Sequence, residues 1–181
     1  MDHLKDENID EKYRGKVYIQ DYSKKPTIEG VQVLKLNTIV GEDGDLSEVM
    51  RLKDGEIEAI PGFKLFQVNR VQLLAGAVKA WNLHYKQDDL WLPLPPGHLF
   101  VGLWDLRENS KTKGETMRIS LMGGHNMLYI PKGVAHGTKN MGEHTLNLLY
   151  FVDQQFNLED PDERRLPWDA LGEDFWEPQR D

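Results

Sequence analysis

The chain has 181 residues, a formal net charge of −8 and no cysteine. This length suits one domain with tails, the missing thiols exclude disulfide frameworks and thiolate sites, and the acidic balance excludes a protein that grips nucleic acid through its phosphates. No apolar run approaches the roughly 18 residues of a membrane span, and the polar first residues do not resemble a signal peptide. We therefore predict a cytoplasmic protein that binds neither nucleic acid nor a membrane.

Short apolar segments recur along the chain between turn signals, a pattern typical of an all-β sandwich or barrel. Strands are predicted at 31–36, 63–69, 78–86, 90–94, 99–106, 117–121, 127–130 and 145–152. Residues 1–27 are predicted to form a polar N-terminal arm, residues 28–156 the barrel domain, and residues 157–181 a C-terminal segment that packs back on it. The expected fold is an all-β jelly-roll barrel with a short helical or irregular tail.

The segment 78–86 alternates small or polar residues with bulky ones. Asn82 and His84 fall on the small and polar face, whereas Lys79 and Trp81 fall on the other. A wall of small and polar side chains leaves room for a ligand inside a barrel. We therefore expect Asn82 and His84 to line an internal cavity and Lys79 to point away from it.

Two more strands carry polar groups that could reach the same cavity. Gln67 and Asn69 share one face of the segment 63–69, which makes that face a candidate ligand wall. Tyr150 lies in the alternating segment 145–152. A histidine and a tyrosine that face each other across a dry pocket can move protons at a carbon next to a carbonyl, provided that a carboxylate holds the imidazole tautomer. Asp169, in the returning tail, is the candidate carboxylate; the alternative for Tyr150 is an ordinary half-buried strand tyrosine.

Residues 131–140 have the spacing PxGxxHxxxN. Pro131 ends ladder pairing, and Gly133 permits a tight turn that sends the chain back with His136 aimed inward. This spacing resembles the second signature motif of the cupin superfamily, small jelly rolls that keep their chemistry inside the barrel mouth. The alternative is an edge-strand turn whose histidine only makes a hydrogen bond.

Metal binding is the rival chemistry for these histidines. Many cupins hold a metal through two histidines and a carboxylate of a first motif and the histidine of the second. In this chain Asn82 replaces the leading histidine, so His84 and His136 would need Asn82 or Gln87, which are both poor ligands. We therefore predict no metal and no other cofactor.

A more specific resemblance comes from several segments in chain order. Residues 105–114 contain DxRxxSxTxG, residues 83–85 read LHY, and residues 168–169 read WD. Together with the 131–137 turn and Tyr150, they resemble the dTDP-4-dehydrorhamnose 3,5-epimerase family of sugar-nucleotide epimerases over about residues 28–176. The resemblance implies a jelly-roll homodimer that needs no metal or cofactor and epimerises a nucleotide-activated 4-keto sugar.

The same resemblance implies a role for each candidate residue. His84 would abstract a ring proton, Tyr150 would supply one on the other face, and Asp169 would pair with His84. The implied substrate contacts, which the cavity-facing Asn82 joins, are Glu48, Gln67, Asn69 and His136, with Arg51 nearby.

Three positions depart from the family pattern. The family's Arg-Gly before Leu-His reads Trp81-Asn82, its Asp-x-Arg-Gly turn reads Glu42-Asp43-Gly44, and its lysine just after the LHY segment aligns near Asp89. Since a diphosphate needs charge-assisted donors, these departures favour an alternative in which a sugar-binding cupin kept the barrel and lost catalysis. The predicted catalytic residues favour the epimerase, and a metal-dependent cupin is the third interpretation.

Overall fold

The computed structural model describes residues 3–19 and 27–178 and contains mostly strands. The strands are β1 (Gln32–Lys35), β2 (Asn37–Val40), β3 (Asp45–Glu48), β4 (Leu52–Lys53), β5 (Glu56–Ile57), β6 (Gln67–Leu73), β7 (Val78–Leu83), β8 (Asp89–Pro93), β9 (His98–Asp105), β10 (Thr116–Met122), β11 (Asn126–Ile130), β12 (Val134–Asn140), β13 (Leu146–Val152) and β14 (Arg164–Arg165). A short helix α1 (Glu11–Arg14) and the 3-10 helices Asp6–Asn8 and Glu173–Trp176 complete the described elements. No described helix is long and apolar enough to span a membrane.

Two antiparallel five-stranded sheets form the body of the molecule. The first has the order β1-β11-β8-β13-β6, and the second has the order β10-β9-β12-β7-β14. Apolar side chains of both sheets meet in the main core, among them Trp91 and Leu128 of the first and Val101 and Leu103 of the second. This arrangement of two packed antiparallel sheets confirms the all-β prediction.

The C-terminal tail covers the outer face of the second sheet. Gly102 of β9 and Gly137 of β12 lie directly opposite each other in the ladder. A Cβ atom at either position would approach the Trp176 ring, to 2.9 Å from Gly102 and 2.7 Å from Gly137. The two glycines therefore make the space in which Trp176 is buried against Trp81, with ring centroids 4.9 Å apart. The division of the chain into arm, barrel and tail stays a prediction, and residues 1–2, 20–26 and 179–181 of the arm and tail lie outside the described residues.

The turn before β12 has the geometry that its sequence requires. Gly133 has a φ of 80°, and a Cβ atom there would lie 2.4 Å from Cγ of Arg107, so both the backbone and the neighbouring side chain call for glycine. The Gly133 N–H donates to the carbonyl of His84 at 2.8 Å. The turn thus fixes the backbone of His84 and begins the strand that carries His136.

The DxRxxSxTxG segment forms a hydrogen-bonded loop at the end of β9. The Asp105 carboxylate is fully buried and accepts hydrogen bonds from Arg107, Ser110 and Thr112 at 2.5–2.8 Å. Arg107 also donates to the carbonyl of Glu29, and the Glu29 N–H donates to the Thr112 hydroxyl. Burial alone would raise the pKa of Asp105, but these donors hold it well below its usual range. The motif therefore ties the segment before β1 to the barrel.

We expect Asp105→Asn to lower the free energy of unfolding by about 2–4 kcal/mol, because Arg107 would lose a buried charged partner. The folded pKa of Asp105 is depressed, so its contribution is present above the unfolded pKa near ~4 and is lost as the pH falls through the folded pKa. The difference in the free energy of unfolding between wild type and Asp105→Asn, measured by urea titration, should therefore decrease below about pH 4.

Glu108→Gln is the matched control, since Glu108 pairs with Lys113 at the exposed surface of the same loop. Its cost should stay below about 1 kcal/mol. Equal losses in the two variants, or a gap that does not depend on pH, would contradict the assigned role of Asp105.

Candidate active site

A cavity between the two sheets collects most of the polar residues that the sequence analysis selected. Its walls come from β6, β8 and β13 of the first sheet and from β7, β12 and β14 of the second. The lining residues are Val71, Lys79, Asn82, His84, Asp89, Trp91, His136, Thr138, Leu148, Tyr150, Glu163 and Arg165. The structure therefore brings His84, His136, Tyr150 and Asn82 together, as their strand positions predicted.

A β-bulge in β7 changes which side chains face this cavity. His136 pairs with Asn82, but Thr138 pairs with Lys79, so two residues of β7 stand against Gly137 alone. The extra residue reverses the alternation, and Lys79 lines the cavity together with Asn82 and His84. The prediction that Lys79 points away is wrong, because strict alternation does not survive a bulge.

His84 follows the last residue of β7 and is held by the segment around Asp162. Its Nδ1 lies 2.5 Å from the carbonyl oxygen of Asp162. Since a carbonyl can only accept, Nδ1 carries the proton and the neutral ring keeps its lone pair on Nε2. The Asp162 carboxylate accepts the backbone N–H groups of Tyr85, Lys86 and Gln87 at 2.6–3.1 Å. The Asp162 carbonyl therefore holds the His84 ring, and the Asp162 carboxylate holds the turn that follows His84.

Burial of the Asp162 carboxylate raises its pKa, but the three backbone donors and the nearby His84 outweigh burial and lower it below the usual value. The anchor is thus ionised at neutral pH. An ionised acceptor makes stronger hydrogen bonds to the backbone than a neutral one.

His136 projects from β12 beside His84, with the two ring centroids 5.1 Å apart. Its Nδ1 donates to the carbonyl of Val134 at 3.0 Å, so its Nε2 also carries a lone pair when the ring is neutral. Burial lowers the pKa of His136 to about 4, although the neighbouring Asp89 carboxylate acts in the opposite direction. The ring of Trp91 meets it edge-on, with centroids 5.2 Å apart, and holds it from the first sheet.

Asp89 begins β8 and places a buried carboxylate between the two histidines. Its Oδ2 lies 3.9 Å from Nε2 of His84 and 3.6 Å from Nε2 of His136. The side chain of Gln87 donates to Oδ1 at 2.7 Å and the indole of Trp91 donates to Oδ2 at 2.9 Å. The carboxylate is therefore oriented by neutral donors rather than by a cation.

Tyr150 lies on β13, in the sheet opposite the one that carries His136. Burial raises the pKa of its hydroxyl, and the carboxylates of Asp89 and Glu163 raise it further. The phenol is therefore protonated at neutral pH and can act as a proton donor. Asn69 pairs with Tyr150 in the ladder, and Gln67 and Asn69 line the adjoining part of the cavity beside it.

Three predicted residues lie elsewhere in the single chain. Asp169 is exposed on the tail that covers the outer face of the second sheet, and it does not line the cavity. Trp176 donates to the carbonyl of Trp168 and so keeps this turn on the far side of the sheet. The pairing of Asp169 with His84 is therefore corrected, because the Asp162 carbonyl occupies Nδ1 of His84. Glu48 and Arg51 pair with each other at 2.6 Å near β3 and line a separate groove.

Sequence reasoning missed five residues of the site: Lys79, Asp89, Asp162, Glu163 and Arg165. One signal was available, because Asp89 and Trp91 lie two residues apart on β8 and so share a face of the strand. The other four carry no motif.

The jelly roll encloses an imidazole and a phenol in one cavity, as in a cupin-fold enzyme, and these two groups can move protons next to a carbonyl. The family is given by comparison: the chain belongs to the dTDP-4-dehydrorhamnose 3,5-epimerase family, whose sequence model matches residues 25–175. The predicted family and the prediction of an enzyme of this kind are confirmed.

Relatives and solved structures agree with this assignment. The chain is 43% identical over 144 residues to the spore coat polysaccharide biosynthesis protein SpsL of Bacillus subtilis strain 168, covering 78% of this chain and 91% of that protein. It is 32% identical over 146 residues to the probable low-salt glycan biosynthesis epimerase Agl13 of Haloferax volcanii, covering 80% and 90%. The structure of a dTDP sugar isomerase from Desulfovibrio desulfuricans G20 superposes with a TM-score of 0.67 at 27% identity, covering 80% of this chain and 88% of that one, which confirms the predicted jelly roll.

We expect Asp162→Ala to free the turn after His84, because the amides of Tyr85, Lys86 and Gln87 would lose a charged acceptor. Hydrogen exchange of these amides should accelerate, and the free energy of unfolding should fall by about 2–3 kcal/mol.

Asp160→Ala is the matched control, since Asp160 lies in the same loop and its exposed carboxylate pairs with the exposed ammonium of Lys86. Its cost should stay below about 1 kcal/mol, with exchange at these amides unchanged. Equal exchange in the two variants would mean that Asp162 does not hold the turn.

Proposed function

We propose that this protein inverts a carbon next to the keto group of a nucleotide-linked 4-keto sugar, with His84 as general base and Tyr150 as general acid. Nε2 of His84 takes the proton from the carbon and leaves an enolate, and the Tyr150 hydroxyl returns a proton to the same carbon from the other face. The observation that supports this proposal most is the position of the two groups, which line one cavity from opposite sheets.

The surroundings of His84 suit a base. With Nδ1–H donated to Asp162, the lone pair of Nε2 is directed into the cavity. After proton abstraction the imidazolium would lie 3.9 Å from the Asp89 carboxylate and attract it as an opposite charge. In this proposal a backbone carbonyl orients the base, and Asp89 takes over the charge role that the sequence analysis gave to Asp169.

We assign the anionic part of the substrate to Lys79 and Arg165 at the cavity mouth. Both side chains are exposed and line the cavity, and neither forms an ion pair within the described residues. Two free cations in a chain of net charge −8 favour an anion at this point. They offer the charge-assisted donors that a nucleoside diphosphate requires, in place of the family arginines that are missing here. Asn82, Gln67, Asn69 and His136 would then contact the uncharged sugar.

The exposed hairpin of β2 and β3 supports a homodimer. Its apolar side chains Ile39, Val40 and Leu46 are each at least 69% exposed, and β6 is an edge strand of the first sheet. Such surfaces are usually covered by a partner. In a single chain Glu48 and Arg51 lie away from the cavity, so they can contact substrate only if the hairpin of a second copy reaches it.

We place the protein in the cytoplasm, where nucleotide-linked sugars are available; the names of its relatives link them to polysaccharide and glycan synthesis.

The proton transfers can be separated by solvent deuterium exchange into a panel of nucleotide-linked 4-keto sugars. His84→Ala should abolish exchange, because no base remains. Tyr150→Phe should retain exchange but lose inversion, since abstraction survives and reprotonation from the far side does not. Each loss should be about 10²- to 10⁴-fold in rate.

His98→Ala and Tyr85→Phe are the matched controls, because both residues are exposed and neither lines the cavity. They should keep the wild-type rate. Wild-type turnover in both site variants would refute the proposed catalysis, and tight binding of the sugars without exchange in the wild type would favour a binding protein instead.

Lys79→Ala and Arg165→Ala should each weaken binding of thymidine diphosphate about tenfold or more, since each removes a charge-assisted hydrogen bond. Isothermal titration calorimetry at fixed ionic strength measures this. Arg164→Ala provides the control on the same two-residue strand, because the Arg164 guanidinium lies over the Tyr85 ring, 5.3 Å from its centroid, and does not line the cavity. Equal weakening by Arg164→Ala would show that only the overall charge matters.

A further inference from the structure

One buried hydroxyl group on the wall of the cavity has no hydrogen-bond partner. Thr138 is 2% exposed and lines the cavity, two residues after His136 on the same face of β12. Its Oγ1 atom is buried and forms no hydrogen bond within residues 3–19 and 27–178. Because an unpaired buried hydroxyl destabilises a folded protein, such groups are almost always paired. The hydroxyl of Thr138 therefore indicates a partner that comes from outside the chain.

The surroundings of Thr138 are apolar apart from one lysine. Val71 and Leu148, which are ladder partners in the first sheet, also line the cavity and pack against the core cluster that contains Val101. In the second sheet Thr138 lies between Val101 and Lys79 in the ladder. Lys79 lines the cavity from the exposed mouth. This end of the cavity thus combines apolar walls with one buried hydroxyl donor.

The histidine end of the cavity offers no donor to a negatively charged oxygen. His84 and His136 each donate Nδ1–H to a backbone carbonyl, so in the neutral rings both Nε2 atoms present lone pairs. The Asp89 carboxylate lies 3.9 Å and 3.6 Å from these two atoms and repels an anion. An oxygen that becomes negative during the reaction is therefore directed away from this end.

We infer, on the basis of the proposed function, that the Thr138 hydroxyl donates a hydrogen bond to the keto oxygen of the substrate and stabilises the enolate. When Nε2 of His84 takes the proton, the C–H electron pair forms the carbon–carbon π bond and the carbonyl π pair moves onto oxygen. When Tyr150 protonates the carbon, that pair returns to the carbonyl. A donor that is in place before the reaction stabilises the transient charge without reorganisation.

The spacing of these side chains suits a sugar ring. The ring centroids of His84 and His136 are 5.1 Å apart, and Thr138 follows His136 by about 7 Å along β12. A pyranose that presents a carbon-bound proton to His84 can therefore extend its keto oxygen toward Thr138. Val71 and Leu148 would then face carbon atoms of the ring.

The kinetic test compares Thr138→Val, which removes the hydroxyl and keeps the shape, with Thr138→Ser, which keeps the hydroxyl. Deuterium exchange into the 4-keto sugar should be about 10²- to 10³-fold slower in Thr138→Val, with a much smaller change in KM, because the hydrogen bond strengthens as charge develops. Thr138→Ser should stay within about tenfold of the wild-type rate. Thymidine diphosphate should bind equally well to both variants, since Lys79 and Arg165 are retained.

The same substitution should stabilise the free protein. Valine fills the space of threonine without burying an unpaired hydroxyl, so Thr138→Val should melt about 2–4 °C above wild type. Thr116→Val is the matched control, because Thr116 is exposed on the edge strand β10 of the same sheet and does not line the cavity. It should change neither the exchange rate nor the melting temperature by a comparable amount.

Exchange at the wild-type rate in Thr138→Val would overturn this inference and leave the proposed epimerisation intact. A Thr138→Ser variant as slow as Thr138→Val would also overturn it. A lower melting temperature of Thr138→Val would mean that the hydroxyl has a structural partner, and this too would contradict the assigned role. Absence of exchange in the wild type with every sugar of the panel would instead refute the proposed function, and with it the enolate that Thr138 is assigned to stabilise.

Discussion

The chemistry of this cavity depends on one hydrogen bond, from Nδ1 of His84 to the carbonyl of Asp162. It fixes the tautomer, and the tautomer decides that the free lone pair is on Nε2 and points at the ligand space. The same residue holds the turn through its side chain, since the Asp162 carboxylate binds the amides of residues 85–87. In the proposed reaction, a rigidly held His84 would need little reorganisation when substrate arrives, which is a condition for efficient proton transfer.

The bulge in β7 is the second constraint. By placing an extra residue opposite Gly137, it leaves both Ala80 and Trp81 on the outer face, where Trp176 covers Trp81, and turns Lys79 into the cavity. A single bulge thus determines which side chains of β7 pack under the C-terminal tail and which face the cavity. The loss of the family's arginines and lysine matters less than the sequence indicates, because Lys79 and Arg165 bring positive charge to the mouth of the cavity.

Much of this could be predicted from the sequence, because strand alternation and turn chemistry are local. The jelly roll, the inward His136 after Gly133 and the cavity positions of Asn82, Gln67 and Tyr150 all follow from period two and from turn residues. Lys79 could not be placed, since a bulge depends on pairing with a distant strand. Asp169 was misplaced because the tail returns over the outer face, and Asp89 was overlooked because burial of a carboxylate depends on partners, Gln87 and Trp91, that only the folded sheet brings to it.

The central claim is that the imidazole of His84 carries its proton on Nδ1 and presents a bare Nε2 to the cavity. Long-range ¹H–¹⁵N correlation spectra of ¹⁵N-histidine-labelled protein at neutral pH, assigned with the His84→Ala variant, measure this directly. The account predicts a protonated Nδ1 and an unprotonated Nε2 for His84. A protonated Nε2 with a bare Nδ1 would contradict it, since the proposed base would then be unavailable.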